Sequence, residues 1–116
     1  MAAETNNLVK DVRKTPEATT VVLTGEIDLN HSPTLHSTLV EVTNERPKKL
    51  LLDLREVPYM DSSGVGTLVE VFRRVNAYKG KMIIFGLNDR VRSIFEITKL
   101  DRFFKICDTE EAAQNA

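Results

Sequence analysis

The sequence predicts an α/β fold in which a mixed, mostly parallel sheet of about four to five strands packs against about four helices. Short apolar runs alternate with segments whose apolar residues recur every three or four positions, in the order β-β-α-β-α-β-α-β-α. Two of the strand segments are almost wholly apolar, which is typical of parallel strands covered on both faces. Only a short turn separates the first two strands, so we expect an opening β-hairpin and parallel pairing for the rest.

The hairpin is the first element in the chain. Leu8 and Val12 mark a weak first strand, and Val21-Val22-Leu23 is a β-branched second strand that ends before Gly25. The segment Thr15-Pro16-Glu17-Ala18 supplies the turn between them.

The first helix and the third strand follow. Ser32-Pro33 is typical of an N-cap followed by the first helical residue. The helix is expected to end before Pro47, because proline disfavours the α conformation at the preceding Arg46. Leu50-Leu51-Leu52-Asp53-Leu54 then predicts a buried strand, with Asp53 near its end. The helix has an apolar stripe of Leu35, Leu39 and Val42.

The second helix has the strongest periodicity in the chain. Asp61-Ser62-Ser63 can cap its start, and Gly80 is expected to close it. Met82-Ile83-Ile84-Phe85 predicts the next buried strand. The predicted core-facing residues of this helix are Val65, Leu68, Val69, Phe72 and Val75.

The remaining elements are shorter. Asn88 or Asp89 is expected to cap a third helix, and Phe103-Phe104-Lys105-Ile106 to form an edge strand. We predict one domain over residues 8–109, a flexible N-terminus over residues 1–7, and a helix end or flexible tail over residues 110–116.

Composition excludes several classes of function. The 116 residues are 41% hydrophobic, enough for one domain with its own core. A formal net charge of −1 gives no electrostatic footprint for nucleic acid or for an anionic membrane. The chain has one cysteine, two histidines, no membrane-length apolar run and no signal region. We therefore expect a soluble cytoplasmic domain with no metal, no cofactor and no membrane insertion.

The segment most informative about function is Tyr59-Met60-Asp61-Ser62-Ser63-Gly64-Val65-Gly66. Two hydroxyls lie where a helix begins, and two glycines follow, each costing about 0.5–1 kcal/mol relative to alanine inside a helix. Such glycines suggest a close approach to the backbone, and a helix N-terminus favours an added phosphate. A plain capping turn built from small residues explains the same pattern equally well.

Three motifs carry a resemblance to a known family. Asp61-Ser62-Ser63-Gly64-Val65-Gly66, after a leucine-rich strand, resembles the signature of the anti-sigma factor antagonists, bacterial members of the STAS domain family. Leu23-Thr24-Gly25-Glu26-Ile27-Asp28 resembles the loop before the first helix of that family. Lys81-Met82-Ile83-Ile84-Phe85-Gly86-Leu87 and the helix after it resemble a third family segment. The similarity spans roughly residues 8 to 109, in the family's order.

The resemblance implies a STAS fold and a regulatory protein that is not an enzyme. It places the phosphoacceptor at Ser63 and implies a partner anti-sigma factor with a histidine-kinase-like ATPase fold. Phosphorylation would prevent binding to this partner, and a serine phosphatase would restore it. The alternative is a non-switching STAS scaffold or a subunit of a stress-sensing complex or transport system. The partner-binding residues implied are Asp28, Tyr59, Met60, Asp61, Ser62, Ser63, Gly64 and Val65.

Several residues admit a second interpretation. Asp28 is expected beside the phosphoacceptor, but it is also a natural turn or cap residue before the first helix. His31 and Asp28 suggest a hydrolase triad with Ser63, which the absence of a Gly-x-Ser-x-Gly motif argues against. Ser62 is expected to cap or orient the turn. Tyr59 and Met60 are expected to be partly exposed at the partner surface.

Overall fold

The computed structural model describes residues 8–116 and confirms the α/β fold with its opening hairpin. One five-stranded sheet has the order β1-β2-β3-β4-β5. β1 and β2 pair antiparallel, and every later pair is parallel. The N-terminus predicted to be flexible lies outside the described residues. The strands are β1 (Val9–Lys14), β2 (Thr19–Thr24), β3 (Lys49–Glu56), β4 (Lys81–Phe85) and β5 (Lys105–Cys107).

Helices cover both faces of this sheet. Leu50, Leu52 and Leu54 of β3 pack with three of the helices, whereas Leu51 points to the other face, where it meets Ala113. This alternation explains why β3 is apolar at almost every position. The helices of the described residues are α1 (Ser32–Asn44), α2 (Ser62–Ala77), α3 (Asp89–Ile97) and α4 (Glu110–Gln114), with a 3-10 turn at Leu100–Arg102.

The helix α2 packs through nearly the predicted face. Val65, Leu68 and Val75 are buried, as expected from their spacing. Val71 is also fully buried and was missed, because it adjoins Phe72 and the helical period alone does not decide between neighbours. Phe72 is only partly buried and stacks on Phe103, with ring centroids 4.6 Å apart. α2 therefore packs into the main core from Val65 to Val75.

The residue Asp53 corrects a sequence-based expectation. β3 extends to Glu56, so Asp53 lies within the strand and is only 2% exposed. Its carboxylate accepts hydrogen bonds from Nη2 of Arg55 at 2.7 Å and from Nε at 3.0 Å. Burial alone would raise the pKa of Asp53, but the hydrogen bonds and positive charge of Arg55 bring it below the ordinary value. Asp53 is thus a paired structural carboxylate on the α4 side of the sheet.

The last residues of the chain form α4 on the second face of the sheet. The Thr109 hydroxyl accepts a hydrogen bond from the Ala112 backbone N–H at 3.1 Å, and Ala113 is fully buried. At the other end of the helix, Lys49 Nζ donates to the carbonyl oxygens of Gln114 and Ala116 at 2.7 and 3.0 Å. These contacts attach residues 110–116 to the sheet.

Candidate functional site

Two loops meet where β2 and β3 end at the same edge of the sheet. The backbone N–H of Ile27 donates to the carbonyl oxygen of Tyr59 at 3.0 Å. The N–H of Asp61 in turn donates to the carbonyl oxygen of Ile27 at 3.1 Å, which makes an isolated parallel bridge between Ile27 and Met60. The loop between β2 and α1, residues 25–31, is called the Asp28 loop. It and the start of α2 are therefore neighbours.

Asp61 organises the start of α2. Its Oδ1 accepts hydrogen bonds from the backbone N–H groups of Ser63 and Gly64 at 2.9 and 3.3 Å. The Ser63 hydroxyl donates to the same oxygen at 2.5 Å. Asp61 is therefore the N-cap of α2. The expectation that Ser62 caps the turn is wrong, because Asp61 accepts the capping hydrogen bonds and the Ser62 side chain is exposed.

The Ser63 hydroxyl is held in a defined orientation by this carboxylate. The hydrogen bond from Ser63 is the main cause that keeps the pKa of Asp61 below its ordinary value, so Asp61 is an anion at neutral pH. Because the hydroxyl hydrogen points to Asp61, the oxygen lone pairs remain available to an incoming group. The half-buried Ser63 Oγ also lies at the positive end of a helix of 16 residues.

Gly64 is required by contacts within the protein. A methyl group at Gly64 would lie 2.7 Å from Cγ2 of Ile27 and 2.7 Å from Cγ of Met60. The close approach expected from the sequence is thus made by the chain itself at this glycine. Gly66 differs, since a methyl group there would have nothing within 4 Å.

Replacing Gly64 by alanine is expected to destabilise the protein by about 1–3 kcal/mol, because the added methyl must displace two packed side chains. The matched control is Gly66→Ala, which is expected to be neutral or to stabilise the helix by up to about 1 kcal/mol. Urea denaturation of both variants measures the difference. Equal stabilities would contradict the packing described at Gly64.

Asp28 builds the turn that leads into α1. Its Oδ1 accepts hydrogen bonds from the backbone N–H groups of Asn30 and His31 at 3.0 and 3.2 Å, and lies 2.7 Å from Nδ1 of His31. Its carbonyl oxygen accepts from the Ser32 N–H at 2.9 Å. The predicted N-cap role of Ser32 is wrong, because Ser32 is the first helical residue and is buried.

The hydrolase triad is not assembled. His31 contacts Asp28, whereas the carboxylate that receives the Ser63 hydroxyl hydrogen is Asp61. A nucleophilic serine in a triad needs its hydroxyl bonded to the imidazole instead. The geometry around Ser63 therefore lacks the imidazole contact that a hydrolase triad requires.

Replacing Asp28 by asparagine is expected to leave the melting temperature within a few degrees, because the amide oxygen still accepts from Asn30 and His31. The family resemblance, which predicts that Asp28 acts in phosphoryl transfer or docking, further predicts that this variant slows phosphorylation or weakens partner binding, because one negative charge of the loop is lost. Asp28→Ala, the control that removes the acceptor, should lower the free energy of unfolding by about 0.5–2 kcal/mol. A large loss of stability in Asp28→Asn with normal partner behaviour would assign Asp28 to folding alone.

Exposure divides the predicted partner-binding residues into those at the surface and those beneath it. Met60 was expected to be partly exposed but is 3% exposed, because its side chain packs under Gly64. Val65 is also buried, at 2%, whereas Tyr59 is 37% exposed. Leu29 is absent from the predicted site residues, although its apolar side chain is 72% exposed in the loop that contains Asp28. The sequence does contain a sign of this exposed side chain, because the leucine directly follows Asp28 and has a polar residue on either side.

Acidic side chains occur on both loops at this edge. Glu26 and Asp28 belong to the loop after β2, Asp61 is the N-cap of α2, and Glu26 is exposed. Among residues 8–116, no group of three or more His, Cys, Asp and Glu side chains is placed to hold a metal ion. Within the same residues, no helix is both long and apolar enough to cross a membrane.

The fold and this loop pair define the class of protein. A family model for the STAS domain matches residues 9–113, and the chain belongs to the STAS domain family. Among curated relatives, the anti-sigma-B factor antagonist of Listeria monocytogenes is 34% identical over 90 residues, 78% of this chain and 79% of that protein. The anti-sigma-B factor antagonist of Bacillus subtilis is 32% identical over 105 residues, 90% of this chain and 95% of that protein.

Solved structures show the same fold. A crystal structure of a putative anti-sigma factor antagonist from Thermotoga maritima matches with a TM-score of 0.85 and 21% identity, covering 90% of this chain and 91% of that one. The phosphorylated form of the Bacillus cell fate determinant SpoIIAA matches with a TM-score of 0.69 and 22% identity, covering 90% of this chain and 96% of that one.

Proposed function

We propose that the protein is a cytoplasmic anti-sigma factor antagonist that phosphorylation of Ser63 switches off. Its partner is an anti-sigma factor with a histidine-kinase-like ATPase fold, which is also the kinase. A serine phosphatase returns the protein to its binding form. The chain acts by binding and not as an enzyme, and it needs no nucleic acid, metal or cofactor of its own.

The observation that carries this proposal is the geometry of Ser63. Its Oγ lies 2.5 Å from an ionised carboxylate, at the N-terminus of a long helix, and the residue is half-buried. Ser62 lacks this carboxylate contact and points into solvent. Of the two hydroxyls in the motif, Ser63 is therefore the one that is fixed for an in-line reaction.

The charges at the site explain how a phosphate acts as a switch. Phosphorylation adds about −1.5 to −2 charges at pH 7. The positive end of α2 tolerates that charge within the domain. A partner that docks on Asp28, Asp61 and Glu26 through basic groups must instead accommodate a bulky, strongly hydrated dianion. The change of binding is thus local, and the fold need not change.

The relatives support the same role. Both curated relatives are named anti-sigma-B factor antagonists, and one covers nearly the whole chain. SpoIIAA, with the same fold, has been solved in a phosphorylated form. The exposed members of the proposed contact surface are Tyr59 and Ser62, with Asp28, Asp61 and Ser63 half-buried, while Met60, Gly64 and Val65 hold them in place from below.

The proposal is tested with the purified anti-sigma factor of the same organism. With ADP, the wild-type protein should bind, and with ATP, binding should decay as phosphate accumulates. Ser63→Ala should keep binding in ATP, because it cannot accept phosphate, and the matched Ser62→Ala control should decay like wild type. Decay of Ser63→Ala binding at the wild-type rate would overturn the proposal, and no binding by any protein would favour the scaffold alternative.

A further inference from the structure

Leu29 is an apolar side chain that nothing in the described part of the fold covers. It is 72% exposed, in a loop whose neighbouring side chains are polar. Burying an exposed leucine against a partner removes a large apolar area from water, which favours association. A single exposed apolar residue is ordinary on a protein surface, so its location must decide whether it matters.

Leu29 lies in the loop that contacts the start of α2, where Ser63 is located. The carbonyl oxygen of Ile27, two residues before Leu29, accepts the Asp61 N–H at 3.1 Å. The carboxylate of the same Asp61 accepts the hydrogen bond of the Ser63 hydroxyl. The loop that carries Leu29 and the Ser63 Oγ are therefore both hydrogen-bonded to Asp61, the loop to its backbone N–H and the hydroxyl to its carboxylate. A protein that brings the γ-phosphate of ATP to Ser63 therefore docks beside the loop that exposes Leu29.

We propose that Leu29 is the apolar anchor of the interface with the anti-sigma factor, seated in an apolar pocket of that kinase whose rim is basic. The acidic groups Glu26, Asp28 and Asp61 around it specify the rim. An apolar centre within a charged ring is the arrangement in which a few residues supply most of the binding free energy. This inference rests on the proposed function, since the same partner must reach Ser63.

The anchor also explains why a phosphate is so effective a switch. A dianion on Ser63 retains a shell of water. This water lies close to Leu29, whose side chain must lose its own water when the partner docks. Phosphorylation thus removes the favourable burial of Leu29 in addition to placing a bulky charge that must lose its water on docking. The two effects are coupled, because they act on one small region of surface.

The test compares Leu29→Ala with Ile97→Ala, a matched control at the end of α3 that is 76% exposed. Both variants should melt as wild type does, because both side chains lie in solvent. Affinity for the purified anti-sigma factor with ADP is measured by calorimetry. Leu29→Ala should bind about tenfold more weakly or worse, and Ile97→Ala should bind within about twofold of wild type.

The double variant Leu29→Ala/Ser63→Asp tests whether the two residues act on the same part of the interface, because a purely structural role of Leu29 would not change the effect of Ser63→Asp on binding. Ser63→Asp should weaken binding in the wild-type background more than in the Leu29→Ala background, because the anchor it disturbs is already absent. Kinetics of phosphorylation should show a raised KM for Leu29→Ala with little change in kcat.

The outcomes separate this inference from the proposed function. If wild type binds and is phosphorylated on Ser63 while Leu29→Ala binds equally well, the anchor is overturned and the proposed function stands. The anchor is likewise overturned if Leu29→Ala and Ile97→Ala lose affinity equally, or if Ser63→Asp weakens binding by the same factor in both backgrounds. If wild type neither binds nor is phosphorylated, both are overturned.

Discussion

A Ser63→Asp protein is expected to fold normally and to bind the anti-sigma factor about thirtyfold more weakly, a loss of about 2 kcal/mol. The added carboxylate lies at the positive end of α2, which offsets its repulsion from Asp61 within the domain. At the interface the partner must desolvate this carboxylate, while the basic groups of the partner already face Asp28 and Asp61, so the cost of desolvation is not compensated. The loss should be smaller than the effect of phosphate, which carries more charge. Titration calorimetry with ADP measures the loss.

The matched control is Ser63→Asn, which has nearly the shape of aspartate and no charge. It should weaken binding distinctly less than Ser63→Asp does. Equal losses in the two variants would show that size, and not charge, prevents docking. The electrostatic account of the switch would then be wrong, while the position of the interface would stand.

Leu68→Ala is expected to lower the free energy of unfolding by about 2–5 kcal/mol, the cost of a cavity in a tightly packed core. Leu68 is fully buried at the centre of α2, between that helix and the sheet. Because α2 carries Ser63 at its start, a loosened helix should also weaken partner binding at temperatures near the lowered melting point. Urea denaturation gives the stability change.

The control for Leu68 is Glu70→Ala on the exposed face of the same helix, expected to change stability by no more than about 0.5 kcal/mol. If Leu68→Ala costs less than about 0.5 kcal/mol, the face of α2 assigned to the core is wrong.

Local signals predicted most of the fold. The apolar run from Leu50 to Leu54 identified a strand covered on both faces, and Asn88 at the start of α3 accepts the Val91 N–H at 2.7 Å, as its capping position suggested. Proline and turn residues placed the hairpin correctly. Each of these features is determined by residues that are close together in the chain, so each can be predicted from the sequence alone.

Features that depend on distant residues were not predictable in the same way. β3 extends beyond Leu54 because Glu56 pairs with Thr24 of β2, and this extension places Asp53 inside the strand. Met60 is buried because its loop pairs with Ile27, more than 30 residues away along the chain. No periodicity reports such a contact. The exposure of Leu29 follows from the same loop pairing.

The identity of the phosphoacceptor is the central claim, and site-resolved mass spectrometry tests it most directly. The wild-type protein is incubated with the kinase-type anti-sigma factor and ATP, and the phosphate is mapped by fragmentation of the peptide that contains Ser62 and Ser63. We expect one phosphate per chain, on Ser63, and none on the Ser63→Ala protein. Phosphate on Ser62 alone, or full phosphorylation of Ser63→Ala, would contradict this claim.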